Sequence, residues 1–305
     1  MTLETDALIE RRRLKRRLGA WRAVGVLALL GLALAGLYWT DPTGMVGGGD
    51  HVARIEVSGV ILENGYLEER LEKLAKDRRA KALIVYVNSP GGSTFGGEAL
   101  FTGIRRVSAA GKPVVAVIGT LGASAGYMVA LAADRVFARE SSLTGSIGVL
   151  FQSAEFSKLM EKIGVSPLSV TSGPYKDEPS PFRPLTEGGR RVLQDMVNES
   201  HRWFVGLVAD RRKMTTERVA RIADGRVYSG RDALDLGLVD QLGGEREARE
   251  WLAQTHGISA DLPVQDLPTQ PPSGVLRDAF GQLVQKTFLS ERLTLDGLIS
   301  LWHPE

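Results

Sequence analysis

The chain has 305 residues, of which 43% are hydrophobic and 24% charged, with 35 glycines; this composition fits a globular α/β enzyme and excludes a disordered or fibrous chain. A formal net charge of +2, with much of the basic excess in one N-terminal cluster, leaves no broad basic face and argues against a nucleic-acid partner. The absence of cysteine excludes thiol nucleophiles, disulfides and thiolate metal sites.

Arg11, Arg12, Arg13, Lys15, Arg16, Arg17 and Arg22 precede an uncharged apolar run over 23–39, flanked by Trp21 and closed by Tyr38 and Trp39. A run of about 17 apolar residues with aromatic ends reads as a single-pass transmembrane anchor. The positive cluster keeps residues 1–22 cytoplasmic, so everything beyond the run is expected on the outer side of the cell membrane, periplasmic or extracellular. Ala33-Leu34-Ala35 also resembles a signal-peptide cleavage site, but the run exceeds the usual ~7–15 residue signal core, which favours a retained anchor. Residues 40–50, with Asp41-Pro42-Thr43-Gly44 and Gly47-Gly48-Gly49, read as a flexible linker.

The predicted catalytic domain spans 51–261. A strand over 52–61, a charged helix over 67–79 and a buried strand over 82–87 set a βαβ rhythm. It continues with a helix over 98–110, a strand over 113–118, a helix opening near Ser124 and a short strand over 135–138. Such crossovers require a largely parallel sheet with helices on its faces. The long helix predicted over 187–212 carries Val192, Met196, Phe204 and Val208 at near-helical spacing, a stripe suited to the core or to a subunit contact. Residues 262–273, rich in Pro and Gln, read as a linker, and 276–301 as amphipathic helices; 262–305 is thus a Pro-containing linker with a C-terminal helical segment.

Residues capable of chemistry stand at the ends of predicted strands. In Gly122-Ala123-Ser124-Ala125-Gly126 a strand runs through small residues into a helix, placing Ser124 where the helix dipole and free N–H groups favour an alkoxide. A serine that merely caps the helix fits the same spacing. The stretch also matches G-x-S-x-G, the nucleophile elbow of α/β-hydrolases, which need a later acid and a histidine. The histidines that follow are His201 inside a helical pattern, His256 at a predicted helix end and His303 near the C-terminus, none well placed for a triad. A lysine can replace histidine as base when burial leaves it neutral. Lys176, in Thr171-Ser172-Gly173-Pro174-Tyr175-Lys176-Asp177, is the candidate, although an exposed loop lysine reads the same way. In Asn88-Ser89-Pro90-Gly91-Gly92-Ser93 consecutive glycines after a strand suit either an oxyanion pocket of backbone N–H groups or an ordinary tight turn.

Taken in order, Asn88-Ser89-Pro90-Gly91-Gly92-Ser93, Ala123-Ser124-Ala125-Gly126-Tyr127, Thr144-Gly145-Ser146-Ile147-Gly148-Val149, Tyr175-Lys176-Asp177, Gly225-Arg226-Val227-Tyr228-Ser229-Gly230 and Leu236-Gly237-Leu238-Val239-Asp240 resemble the signal peptide peptidase A family across 52–250. The resemblance implies an α/β fold of the Clp protease and crotonase-like type, with no cofactor or metal, and assembly as a homo-oligomer. It implies a Ser-Lys dyad that hydrolyses membrane-derived peptides such as cleaved signal peptides. Carried over by position, Ser124 is the nucleophile, Lys176 the general base and Gly92 an oxyanion-hole donor, with Ser146 orienting the lysine. The family stretch has two glycines after the nucleophile, whereas this chain has Ala125 and then Gly126. Other readings of the same residues are an α/β-hydrolase-type esterase with a histidine base, a crotonase-like acyl-CoA enzyme working through acidic residues, and an inactive membrane scaffold.

Overall fold

The computed structural model describes residues 17–19, 21–31 and 49–271, together with the backbone of 298–301. The chain separates into two units, Met1–Gly48 and Gly49–Glu305. In the first, 17–19 and 21–31 are helical and exposed. The anchor read over 23–39 is described only as far as residue 31, and no described helix is long and apolar enough to cross a membrane.

The second unit begins with β1 (His51–Ile61), α1 (Gly65–Lys76), β2 (Ala80–Ser93), α2 (Thr94–Ala109), β3 (Val114–Ala123), α3 (Ala125–Ala130) and β4 (Arg135–Ala138). It continues with β5 (Leu143–Gly145), β6 (Leu150–Phe151), α4 (Ser157–Lys162), α5 (Glu187–Arg212), α6 (Thr216–Ala220), β7 (Val227–Ser229) and α7 (Gly230–Leu236). Then follow β8 (Gln241–Leu242), α8 (Glu245–His256), β9 (Val264–Asp266) and β10 (Leu298–Leu301).

The crossover helices form where the sequence supplies both a cap and an apolar stripe. The Asn64 side chain accepts the Leu67 N–H at 3.0 Å, and Leu67, Leu71 and Leu74 bury one face of α1. Ser93 caps α2 in the same way, accepting the Gly96 N–H at 3.0 Å. Each crossover returns the chain to a parallel neighbour, so β1, β2, β3 and β4 lie side by side in sequence order. Both faces of these strands are covered, which is why Leu83-Ile84-Val85 and the run over 114–118 are apolar without alternation. One face packs on Leu71, Ile104, Tyr127 and Phe204, and the other carries Val52, Ile84, Val115 and Phe137 against Leu252 of α8.

Along β3 the sheet forks. Its first part pairs with β4 through Val115–Ile118, and its last part pairs with β5 through Leu121, Gly122 and Ala123. β5 in turn pairs antiparallel with β7. On the other side, the end of β2 pairs antiparallel with β10, which also pairs with β6.

Three segments differ from the sequence reading. β2 runs on to Ser93 although Pro90-Gly91-Gly92 looks like a turn, because β1 continues beside it with a register shift between Ser58 and Val60. Within the stretch read as a linker, Val264–Asp266 is an edge strand on β1; Pro263 and Pro268 stand just outside it, where no ladder N–H is needed. The Pro263 carbonyl accepts the Val52 N–H at 3.0 Å, and Leu267 donates to the Arg54 carbonyl at 2.8 Å. Of the segment read as C-terminal helix, Leu298–Leu301 is strand, since open backbone edges on β2 and β6 supply its partners; 272–297 lies outside the described residues. The stripe on α5 also divides: Phe204 and Val208 are buried, whereas Val192 and Met196 are exposed.

α5 is locked to the sheet by a partly buried ion pair. Arg212 meets the Asp240 carboxylate with both guanidinium nitrogens at 2.8 and 2.9 Å, and donates through Nε to the Gly237 carbonyl at 2.7 Å. Asp240 also accepts the Val136 N–H at 2.8 Å. Burial opposes charge on Asp240, but the Arg212 hydrogen bonds and charge, with the Val136 N–H, outweigh it and hold the carboxyl below its usual range. Because the folded value is depressed, the stabilisation is present above the unfolded carboxylate pKa of about 3.9 and is lost as pH falls through the lower folded value. Asp240→Asn should cost about 1.5–3 kcal/mol at neutral pH. Thermal unfolding should show the gap between wild type and variant closing on acidification, and equal stability at neutral pH would refute the assignment.

Candidate active site

Ser124 sits at the turn from β3 into α3 with φ 57° and ψ −119°, a region that L-residues occupy only when the surroundings enforce it. The enforcing contacts come from β5. The Ser124 N–H donates to the Gly145 carbonyl at 2.8 Å, and the Thr144 hydroxyl donates to the Gly122 carbonyl at 2.7 Å. Ser124 is 1% exposed, and although it occupies the N-cap position its side chain makes no capping bond. Capping therefore does not account for a serine here.

The small residues around Ser124 let three chain segments converge. A β-carbon on Gly126 would stand 2.9 Å from the Ser89 carbonyl oxygen, and one on Gly97 would stand 3.1 Å from the Ala125 methyl. α3 is thus pressed onto the 89–97 stretch, and the Ala125 methyl is used in that packing. Gly92 leaves no room at all, since its β-carbon would fall 1.9 Å from the Ile61 carbonyl oxygen. Gly91 before it has φ 119°, a conformation that favours glycine. Ser146 follows Gly145, the residue that accepts the Ser124 N–H; it has φ 49°, is buried, and donates its own N–H to the Arg226 carbonyl at 2.8 Å.

The structure therefore gathers Ser124, Ser146 and the 88–93 stretch. Lys176 is placed differently, exposed in a turn where its N–H donates to the Gly173 carbonyl at 3.3 Å. The acidic side chains after it are held by Arg183, which meets Asp177 at 3.2 Å and Glu178 at 3.1 Å. A lysine base needs a buried amine, and among the described residues Lys176 is exposed. Apolar side chains lie exposed along the same segment, with Leu168 and Val170 each 91% exposed and Tyr175 half exposed.

A sequence profile of Peptidase family S49 matches residues 106–259. A Synechocystis protein provisionally named protease slr0021 is 37% identical over 228 residues, which cover 74% of this chain and 82% of that protein. This chain belongs to peptidase family S49. A second profile, Clp protease, matches residues 65–144 and agrees with the parallel α/β architecture. An Enterococcus faecium protein provisionally named signal peptide peptidase SppA is 33% identical over 214 residues, 66% of this chain and 62% of that protein. The chloroplastic serine protease SPPA of Arabidopsis thaliana is 29% identical over 277 residues, 86% of this chain but 40% of that protein. The chain is thus a serine peptidase by family, while spanning less than two thirds of several relatives it matches.

Two of the three histidines after Ser124 have structural settings of their own. His201 Nε2 lies 2.9 Å from the Ala223 carbonyl oxygen, tying α5 to the loop after α6. His256 ends α8 with its ring edge-on to Trp251 at 5.0 Å. His303 lies outside the described residues. Among the described residues no three His, Asp or Glu side chains stand together as metal ligands. Sequence reasoning missed the hydroxyls of Ser89 and Thr144 and the strand β10 beside Gly91–Ser93. Only the turn-like composition of 88–93 and the Thr-Gly-Ser run signalled that these stretches were special.

Proposed function

We propose that this chain is a membrane-anchored endopeptidase that hydrolyses signal peptides or other membrane-derived peptides through a dyad of Ser124 and Lys176. The observation that carries the reading is Ser124 itself: buried, in a strained backbone conformation, making no side-chain capping bond, and followed by Gly126, which packs against the Ser89 carbonyl. The Ser124 hydroxyl gives its proton to the Lys176 amine as its oxygen bonds to the scissile carbonyl carbon. The carbonyl oxygen becomes an oxyanion facing the Gly92 N–H. The lysine ammonium then protonates the leaving amine, and water resolves the acyl-enzyme by the same route in reverse. The Ser146 hydroxyl orients the lysine. Lys176 must be neutral to accept a proton, and its exposed apolar surroundings support a homo-oligomer in which a neighbouring subunit covers this segment. In peptide-cleavage assays Ser124→Ala, Lys176→Ala and Lys176→Arg should each lower turnover by about a thousandfold or more, arginine failing because its guanidinium stays protonated. His201→Ala and His256→Ala should retain turnover. Substantial hydrolysis by folded Lys176→Arg would remove the lysine from the mechanism, and turnover by Ser124→Ala would remove the serine.

A peptide substrate is favoured over an acyl-CoA thioester by what lies against the glycines. β10 pairs antiparallel with Gly91, Gly92 and Ser93 and with β6 on its other side, so this edge accepts an extended polypeptide backbone. In the proposed reaction the substrate strand takes the same edge. Removing residues 298–305 should then lower KM for peptides without lowering kcat, as steady-state kinetics can measure; unchanged KM in a folded truncation would count against this mode.

The arginine and lysine cluster before the apolar run supports the orientation, with the N-terminus cytoplasmic and the peptidase unit outside. Protease added to intact spheroplasts should digest the Gly49–Glu305 unit. Full protection until lysis would overturn the orientation.

A further inference from the structure

β10 lies between two edges, pairing with Gly91–Ser93 of β2 on one side and with Leu150–Phe151 of β6 on the other. The edges therefore frame a slot one strand wide, and the pairing gives it a direction. Leu301 stands opposite Gly91, Ser300 opposite Gly92 and Ile299 opposite Ser93, while Leu298 stands opposite Phe151. The carboxy-terminal end of the occupying strand thus runs along two glycines, and its amino-terminal end lies beside Phe151.

At that amino-terminal end the frame changes character. β2 stops at Ser93, opposite Ile299, and turns into α2, which lies against β10. Position 298 is therefore faced by the head of a helix in place of a strand. Phe95, in the first turn of that helix, is 60% exposed. It takes no part in the core, where α2 instead buries Leu100, Ile104 and Val107. Phe151 is partly exposed as well. One exposed aromatic ring needs no explanation. Two at the same end of a strand-wide slot fit a site that holds a polypeptide by its backbone and draws selectivity from apolar contacts beside the ladder.

We propose that Phe95 and Phe151 form an apolar subsite that selects a large apolar side chain in the substrate residue occupying position 298, two residues before the one opposite Gly92. This rests on the reading that the substrate strand takes the edge held by β10, and it assigns the selectivity to the amino-terminal end of that strand. At the other end Gly91 and Gly92 present backbone alone.

The test is competition by a heptapeptide with the sequence of residues 296–302, Asp-Gly-Leu-Ile-Ser-Leu-Trp, against cleavage of a reporter peptide by the full chain. Two altered heptapeptides carry alanine at position 298 or at position 301. Each inhibition constant is measured with wild type, Phe95→Ala and Phe151→Ala. With wild type, alanine at 298 should weaken inhibition by about 10- to 100-fold. With either variant the unaltered peptide should bind more weakly, and the same alanine should cost less than about threefold, because the apolar contact is already gone. Alanine at 301 should cost the same factor with all three proteins. The chain's own β10 competes equally with every peptide, so these ratios are unaffected by it. A cost at 298 that stays the same in the folded variants would overturn the proposal, as would equal changes at 298 and 301, and the strand-edge mode would survive. No inhibition by the unaltered peptide at millimolar concentration would overturn the proposal and that mode together.

Discussion

One backbone hydrogen bond, from the Ser124 N–H to the Gly145 carbonyl at 2.8 Å, fixes the geometry on which the proposed chemistry depends. A serine at φ 57° and ψ −119° does not hold that conformation unaided. It is held because β3 ends beside β5 rather than beside β4, and because Thr144 grips the Gly122 carbonyl one pair further back. The same contact sets Ser146 next to Ser124, so a single strand pairing both strains Ser124 and places its neighbour. The cost of the strain, of order 1–3 kcal/mol, is offset by burial of the α3 residues, all of which pack into the sheet and α2.

Much of the scaffold was legible in the amino-acid sequence. Parallel strands buried on both faces are written as unbroken apolar runs, and the helices between them as charged stripes; the strand at Arg135–Ala138 and the helix at Glu187–Arg212 fall where the pattern puts them. Three other short strands did not show. β5, β7 and β10 are three or four residues long, with no period to detect, and exist because a neighbouring edge offers hydrogen bonds. Pro90-Gly91-Gly92 was readable as unusual but not as strand, since turn composition and strand pairing coincide there.

The candidate site divides in the same way. Ser124 was visible because small residues on both sides of a serine after a strand are uncommon except where backbones converge, and the Gly126 and Gly97 contacts show that convergence. The hydroxyls of Ser89 and Thr144 were not visible as positioning groups, because a buried serine or threonine gains its meaning from a carbonyl far away in sequence. Lys176 was visible only through its family pattern. Its exposure in the Gly173 turn, beside Leu168 and Val170, marks the part of the proposed mechanism that depends on association.

The fork in β3 has a consequence for how the protein can change. From Val115 to Ile118 the strand is a buried slat between β2 and β4; from Leu121 to Ala123 it has left β4, pairs with β5 and leads into Ser124. Folding and chemistry thus occupy successive lengths of one strand, divided at Gly119 and Thr120. Substitutions beyond the fork can retune reactivity while the fold keeps its foundation, and substitutions before it are screened by folding alone. A lineage carrying this architecture can explore new catalytic ends on an unchanged frame, with the boundary between the two set by where β4 stops.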